Sequence, residues 1–184
     1  ILVTKEQGME GARDLAEKMQ REGKGRVLDQ FANPDNPRAH YEGTGPEIWR
    51  DTGGGITHFV ATMGTTGTIM GTGRFLKEKN ANVELIGVHP AGESSIPGIR
   101  KWAKEYEPSI YDVSKIDRII EVDAKDAEGM MREVARAEGL FVGPSSGGSI
   151  FAAVEVCRQV RDATVVCITC DRGDRYVSTG VFPS

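Results

Sequence analysis

The chain has 184 residues, 23 Lys and Arg against 27 Asp and Glu, a net charge of −4 and a hydrophobic share of 39%. That length fits one domain, or one domain and part of another, with enough apolar residues for a buried core. The acidic balance argues against nucleic acid or an anionic membrane as main partner, and no apolar run approaches the roughly 20 residues of a membrane helix.

Ile1-Leu2-Val3 reads as a strand entered midway, with no initiator Met and no basic stretch or cleavage site of a secretion signal. The expectation is that polypeptide precedes Ile1. A helix is predicted over Met9 to Glu22, where Met9, Ala12, Leu15, Ala16 and Met19 share one face. Arg26 to Asp29 is a second short strand, so the start reads as a βαβ unit. Gln30 to His40 carries two Pro and two Asn and reads as an extended crossing segment. The expected division is therefore 1–40 as the end of a small domain and 41–184 as a large one. Gly45-Pro46 opens a short helix through Trp49, with Pro in its first turn.

The next stretch is the most informative. The apolar strand 57–62 runs into Gly64-Thr65-Thr66-Gly67-Thr68, and a helix over 69–79 follows. Strand, Gly/Thr turn and helix together form an anion cradle: glycine lets the backbone come close, and N–H groups at the helix start point at the guest. No Lys follows as a Walker loop requires, so the expected guest is a phosphate that is held and not transferred. Strand 83–88, an irregular loop from His89 to about Pro108, strand 118–122 and helix 126–138 come next. Gly143-Pro144-Ser145-Ser146-Gly147-Gly148 opens a helix over 149–160, strand 164–169 follows, and a polar tail runs from Cys170 to Ser184. Strands alternating with helices predict a mostly parallel α/β/α sheet whose ligands sit beyond the strand C-termini, where both Gly-rich turns fall.

Competing readings of single motifs are weaker. Gly64 to Gly73 approaches a dinucleotide fingerprint, and Tyr111 and Lys115 stand four apart as in short-chain dehydrogenases. That pair, however, follows Pro108 in an irregular loop and not a long helix. Cys167 and Cys170 form a C-x-x-C on a strand, where positions three apart face opposite sides; Cys167 is expected in the core and Cys170 at the mouth. The three cysteines suit a reducing cytoplasm. His40, His58 and His89 lack ligand spacing, so no metal is expected. Arg172-Gly173-Asp174 is a chance tripeptide. The basic Arg100-Lys101-Trp102 stretch is either a solvated patch or an anion-binding loop. Ser145-Ser146 is either a helix cap or a partner for a ring nitrogen.

Six stretches together resemble the cysteine synthases, of the B type. They are Gln30 to Tyr41, Gly45 to Trp49, Gly64 to Thr68, Ser94 to Arg100, Gly143 to Gly147 and Cys170 to Gly180. These are O-acetylserine sulfhydrylases of the tryptophan synthase β-like, fold type II pyridoxal-phosphate class. The resemblance implies a homodimer that makes cysteine and acetate from O-acetylserine and sulfide, or S-sulfocysteine from thiosulfate. It implies that Gly64, Thr65, Thr66, Gly67 and Thr68 cradle the phosphate of pyridoxal 5′-phosphate and that Ser145 meets the pyridine nitrogen. Gln30 would lie near the substrate carboxylate, and Arg100, Trp102 and Cys170 would line the second-substrate side. The family's Schiff-base lysine lies in a Ser-Val-Lys-Asp-Arg-like motif, and none of the nine lysines here stands in such a context. The lysine is thus expected upstream of Ile1, and this chain alone is expected to be inactive. The alternative is a lysine-free module that binds a phosphate ligand or a partner without catalysis.

Overall fold

The computed structural model describes residues 1–4 and 6–182; Lys5 and the end of the tail, Pro183 and Ser184, lie outside the described residues. Four parallel strands, β1 (His58–Thr62), β2 (Glu84–Pro90), β3 (Arg118–Val122) and β4 (Val165–Cys167), form one sheet in the order β3-β2-β1-β4. The register sets Val60 opposite Ile86 and Cys167, and Val88 opposite Ile120. Side chains alternate across β1. Phe59 and Ala61 join Ile69, Leu76 and Leu85 on the face covered by α4 (Gly67–Lys79). Val60 joins Ile86, Val88, Ala152 and Val156 on the face covered by α5 (Ala124–Glu138) and α6 (Pro144–Gln159). The result is the three-layer α/β/α arrangement expected from the alternation of elements.

Two close approaches fix the helix layers. A Cβ on Gly147 of α6 would lie 2.1 Å from the Ala127 carbonyl oxygen of α5. A Cβ on Gly71 of α4 would lie 1.9 Å from the Pro37 carbonyl oxygen. Only glycine permits either contact.

The N-terminal βαβ expectation is not met. α1 (Gly8–Arg21) forms, but residues 1–4 and 25–29 run outside any ladder. A strand needs a neighbour for its N–H and C=O groups, and the two segments pair neither with each other nor with the sheet. Ile1 and Leu2 stand 92% and 97% exposed. α1 buries no residue fully and is held by polar contacts instead. The Arg13 guanidinium lies 4.2 Å over the Phe31 ring and donates to the Tyr106 carbonyl at 2.9 Å, and Tyr106 Oη donates to Asp14 at 3.0 Å.

The crossing segment is also not extended. It coils into α2 (Asp35–Ala39), a π turn over His40–Thr44 and α3 (Gly45–Asp51). Pro34 and Pro37 sit at positions whose N–H would have no helical partner anyway, so neither breaks the helix. Asn33 Oδ1 accepts from the Asp35 N–H at 2.9 Å. α6 begins five residues before the expected start, because the Gly/Ser run is itself its first turn.

Candidate active site

β1 and β4 end side by side, and their C-terminal mouth carries Thr62 and Cys170, with Thr62 Oγ1 and Cys170 Sγ 3.2 Å apart. Beyond β1 the chain turns sharply through Met63 to Thr66. Met63 N–H donates to the Val88 carbonyl and Met63 O accepts from the Arg100 N–H at 2.8 Å. Thr66 then takes a left-handed conformation, φ 71°, which is uncommon for a non-glycine residue. This twist turns the following amides toward the mouth.

Among the described residues, the N–H groups of Gly64, Thr65, Thr66 and Thr68 make no hydrogen bond, and that of Gly67 has only a long 3.4 Å contact with Thr65 Oγ1. The Thr66 hydroxyl is buried without a partner. A buried polar atom without a partner is costly. Clustered N–H groups at a helix start and an orphaned hydroxyl therefore fit a phosphate monoester. α2 and the π turn back this loop. Asn36 Nδ2 donates to Thr65 Oγ1 at 2.9 Å, and His40 Nε2 lies 3.2 Å from Thr68 Oγ1. Burial lowers the His40 pKa and favours the neutral ring.

Across the mouth, α6 has no cap of its own at Gly143. Asp171, from beyond β4, supplies it. Its carboxylate accepts from Ser145 N–H at 3.2 Å, from Ser146 N–H at 2.9 Å and from Ser146 Oγ at 2.6 Å, while Asp171 N–H donates back to Ser146 Oγ at 3.1 Å. Ser146 is thus fully occupied, whereas the Ser145 hydroxyl takes no part in this cap and lies beside the Cys170 thiol. Gly98, at φ +88°, links the two ends. Its carbonyl would lie 3.0 Å from a Cβ on Gly64, and a Cβ on Gly98 would lie 3.0 Å from Ser145 Oγ.

The remaining predicted residues distribute around this core. Gln30 is tied to the cradle through its carbonyl, which accepts from Asn36 Nδ2 at 2.7 Å. Cys170 lies beside Thr62, Ser145 and Asp171, and burial pushes its thiol pKa up. Arg100 holds its backbone against Met63 and His89, with its guanidinium 3.8 Å from Glu10 of α1. It opens on a cavity of about 290 Å³ that Glu10, Ser94 and Lys101 also line. Trp102 packs between His89 and Tyr111, ring centroids 5.3 and 5.4 Å away, with a buried, unpartnered indole N–H. Cys167, expected in the core, is half-buried and packs against the α6-side core. No grouping of three metal-ligating side chains occurs among the described residues.

Sequence reasoning missed Asn36, His40, Gly98 and Asp171 as parts of the site. Asn36 and His40 lay in a segment read as extended. Asp171 stands in the Cys170 to Gly180 stretch, but nothing local links it to Ser145, 26 residues earlier at the start of α6.

The family model described as "Pyridoxal-phosphate dependent enzyme" matches residues 1–171. Cysteine synthase B of Pseudomonas aeruginosa is 60% identical over 99% of this chain and 61% of its own length. Cysteine synthase B of Escherichia coli is 59% identical over 99% of this chain and 60% of its own length. The chain therefore spans about three fifths of the length of these relatives. Among solved structures, cysteine synthase of Entamoeba histolytica superposes with a TM-score of 0.89 at 35% identity, covering 100% of this chain and 57% of that one. The O-acetylserine dependent cystathionine beta-synthase of Helicobacter pylori gives 0.91 at 32% identity, covering 99% of this chain and 62% of that one.

Proposed function

Because the chain belongs to the pyridoxal-phosphate dependent enzymes, we propose that it is the C-terminal portion of a cysteine synthase of the B type. The observation that carries this reading is the pairing, at one sheet mouth, of an open amide cradle at 64–68 with a neutral serine hydroxyl at 145. The 60% identity to a cysteine synthase B over 99% of the chain supports it. The proposed reaction replaces the acetoxy group of O-acetylserine by sulfide, giving cysteine and acetate, or by thiosulfate, giving S-sulfocysteine.

Gly64, Thr65, Thr66, Gly67 and Thr68 hold the cofactor phosphate through N–H and hydroxyl donors. Ser145 meets the pyridine nitrogen with a neutral hydroxyl, so the ring is not held protonated by a facing carboxylate. When bound, pyridoxal phosphate supplies the electron sink for the pair released at the substrate α-carbon. Gln30 lies on the substrate-carboxylate side, and Arg100, Trp102 and Cys170 on the side where the sulfur donor enters. An Arg guanidinium suits a small dianion such as thiosulfate, which it can grip with paired hydrogen bonds. The atoms crowded around Cys170 push its thiol pKa up, which favours the uncharged thiol, a form that does not repel the donor.

The first forty residues close a smaller domain, with α2 as its crossing onto α4, and 41–184 form the larger, cofactor-holding domain. The Schiff-base lysine comes from polypeptide upstream of Ile1. The working enzyme is a homodimer of the cytoplasm. No described helix is long and apolar enough to cross a membrane.

The test is turnover. This 184-residue chain alone makes no cysteine from O-acetylserine and sulfide, and joining it to the upstream segment of a cysteine synthase B restores the reaction. Turnover by the isolated chain at a rate near that of the joined protein overturns the assignment, since one of its nine lysines would then serve.

A further inference from the structure

Resting on the reading of 64–68 as a phosphate cradle, we propose that Asn36 and His40 are its positioning residues. They fill the acceptor side of the Thr65 and Thr68 hydroxyls, so that each O–H hydrogen is left for the bound phosphate. A hydroxyl has one hydrogen to give and two lone pairs to receive. Which way that hydrogen points decides whether a threonine attracts an anion or repels it.

For Thr65 the accounting is closed by chemistry. Asn36 Nδ2 carries two hydrogens and faces two acceptors, the Gln30 carbonyl oxygen at 2.7 Å and Thr65 Oγ1 at 2.9 Å. Turning the amide over would set its oxygen against the Gln30 carbonyl, so the nitrogen belongs where it is. Thr65 Oγ1 therefore receives, and its own hydrogen stays free. A Cβ on Gly67 would lie 1.8 Å from Asn36 Oδ1, so the amide packs directly against the backbone of the first residue of α4.

For Thr68 the same outcome requires one tautomer of His40. The ring spans Thr44 Oγ1, 2.9 Å from Nδ1, and Thr68 Oγ1, 3.2 Å from Nε2. With the hydrogen on Nε2, Thr44 donates to Nδ1, the ring donates to Thr68, and the Thr68 hydrogen is free. With the hydrogen on Nδ1, Thr68 must donate to the ring and turns a lone pair toward the phosphate. The π turn over His40–Thr44 brings the Thr44 hydroxyl to the ring's Nδ1, and such turns recur at functional sites. Burial lowers the His40 pKa and keeps the ring neutral.

The experiment uses the joined, complete enzyme stripped of cofactor, and compares dissociation constants for pyridoxal 5′-phosphate and for pyridoxal, which lacks the phosphate. Their ratio isolates the cradle from the rest of the site. Asn36→Asp keeps the shape but puts an acceptor against Thr65 and lowers the ratio at least about tenfold, as expected for one lost and one reversed hydrogen bond. His40→Phe lowers it about fivefold. His40→Gln, whose amide nitrogen can take the place of Nε2, restores it to within about twofold of the parent. Independently of any variant, ¹⁵N shifts of the His40 ring in the loaded enzyme report the Nε2–H tautomer. A parent that binds both compounds equally overturns the cradle itself. A parent that discriminates, with Asn36→Asp and His40→Phe discriminating equally well, overturns only the positioning roles. An Nδ1–H ring, or no recovery in His40→Gln, overturns the role of His40.

Discussion

Ser145 and Ser146 are neighbours in sequence, both buried in the first turn of α6, and yet have different tasks. Ser146 Oγ donates to the Asp171 carboxylate and accepts from the Asp171 N–H, so both of its capacities are used inside the fold. Ser145 contributes only its N–H to that cap. Replacing each by Ala should therefore separate cofactor binding from stability. In the complete enzyme, Ser145→Ala weakens cofactor binding by about 1 kcal/mol and leaves the unfolding free energy within about 0.5 kcal/mol of the parent. Ser146→Ala removes a partner from the half-buried Asp171 carboxylate and costs about 1–2 kcal/mol of stability, with cofactor affinity little changed. Cofactor titration and urea unfolding on the same samples check both. Equal effects of the two substitutions on cofactor affinity would mean that the serines are interchangeable and that Ser145 is only part of a cap.

At the scale of elements, the site depends on how closely α2 approaches α4. Gly71→Ala puts a methyl group 1.9 Å from the Pro37 carbonyl oxygen and 2.9 Å from His40 Cβ. Neither α2 backbone nor α4 backbone can yield by a rotamer change, so the two must separate. The expected cost is up to about 3 kcal/mol, and the His40–Thr68 contact is lost with it. Gly129→Ala, in the middle of α5, provides the contrast. Nothing lies within 4 Å of its Cβ position, and its helical backbone suits Ala, so stability rises by about 0.5–1 kcal/mol. Denaturant midpoints of the two variants should move in opposite directions. A parent-like Gly71→Ala would show that α2 is free to shift and does not set the cradle.

For the whole molecule, the segment after β4 acts as a latch. Val142 and Arg172 form an antiparallel bridge, Gly143 N–H donates to the Asp171 carbonyl at 3.0 Å, and Gly173 N–H donates to the Phe141 carbonyl at 2.9 Å. Tyr176 packs over this junction. Its phenol pKa is pushed up to about 12, first by burial and then by the neighbouring Asp171 carboxylate. The folded state thus holds the Tyr176 proton more tightly than the unfolded chain, whose tyrosines titrate near about 10. The associated stability is complete below about pH 10 and is lost as pH rises toward about 12. Tyr41, Tyr106 and Tyr111 are raised as well, chiefly by Glu78, by Asp14 and by burial respectively. Tyr176→Phe should therefore flatten the alkaline fall in stability without abolishing it. Urea midpoints measured from pH 8 to 12 provide the check, and an unchanged slope would remove Tyr176 from the latch.

The sequence by itself determined the features that depend on local chemistry. The Gly/Thr turn after an apolar strand was legible as an anion cradle, because unpaired N–H groups exist at every helix start and glycine opens the approach. The four sheet strands were legible from short apolar runs, and their parallel direction from the helices between them, but not their order β3-β2-β1-β4. Only the tertiary structure decided what depends on partners far along the chain. Residues 1–3 and 26–29 have strand-like composition but no neighbouring strand, and a strand is defined by its neighbour. Gln30 to His40, with its two prolines, looked extended, but α4 offered a glycine face that holds it as a helix. Ser145 and Ser146 were indistinguishable until Asp171, 25 residues beyond Ser146, claimed one hydroxyl and left the other outside the cap. Short-range propensity accounts for the first group. The second was settled by long-range hydrogen bonds and close packing, which no local window of sequence contains.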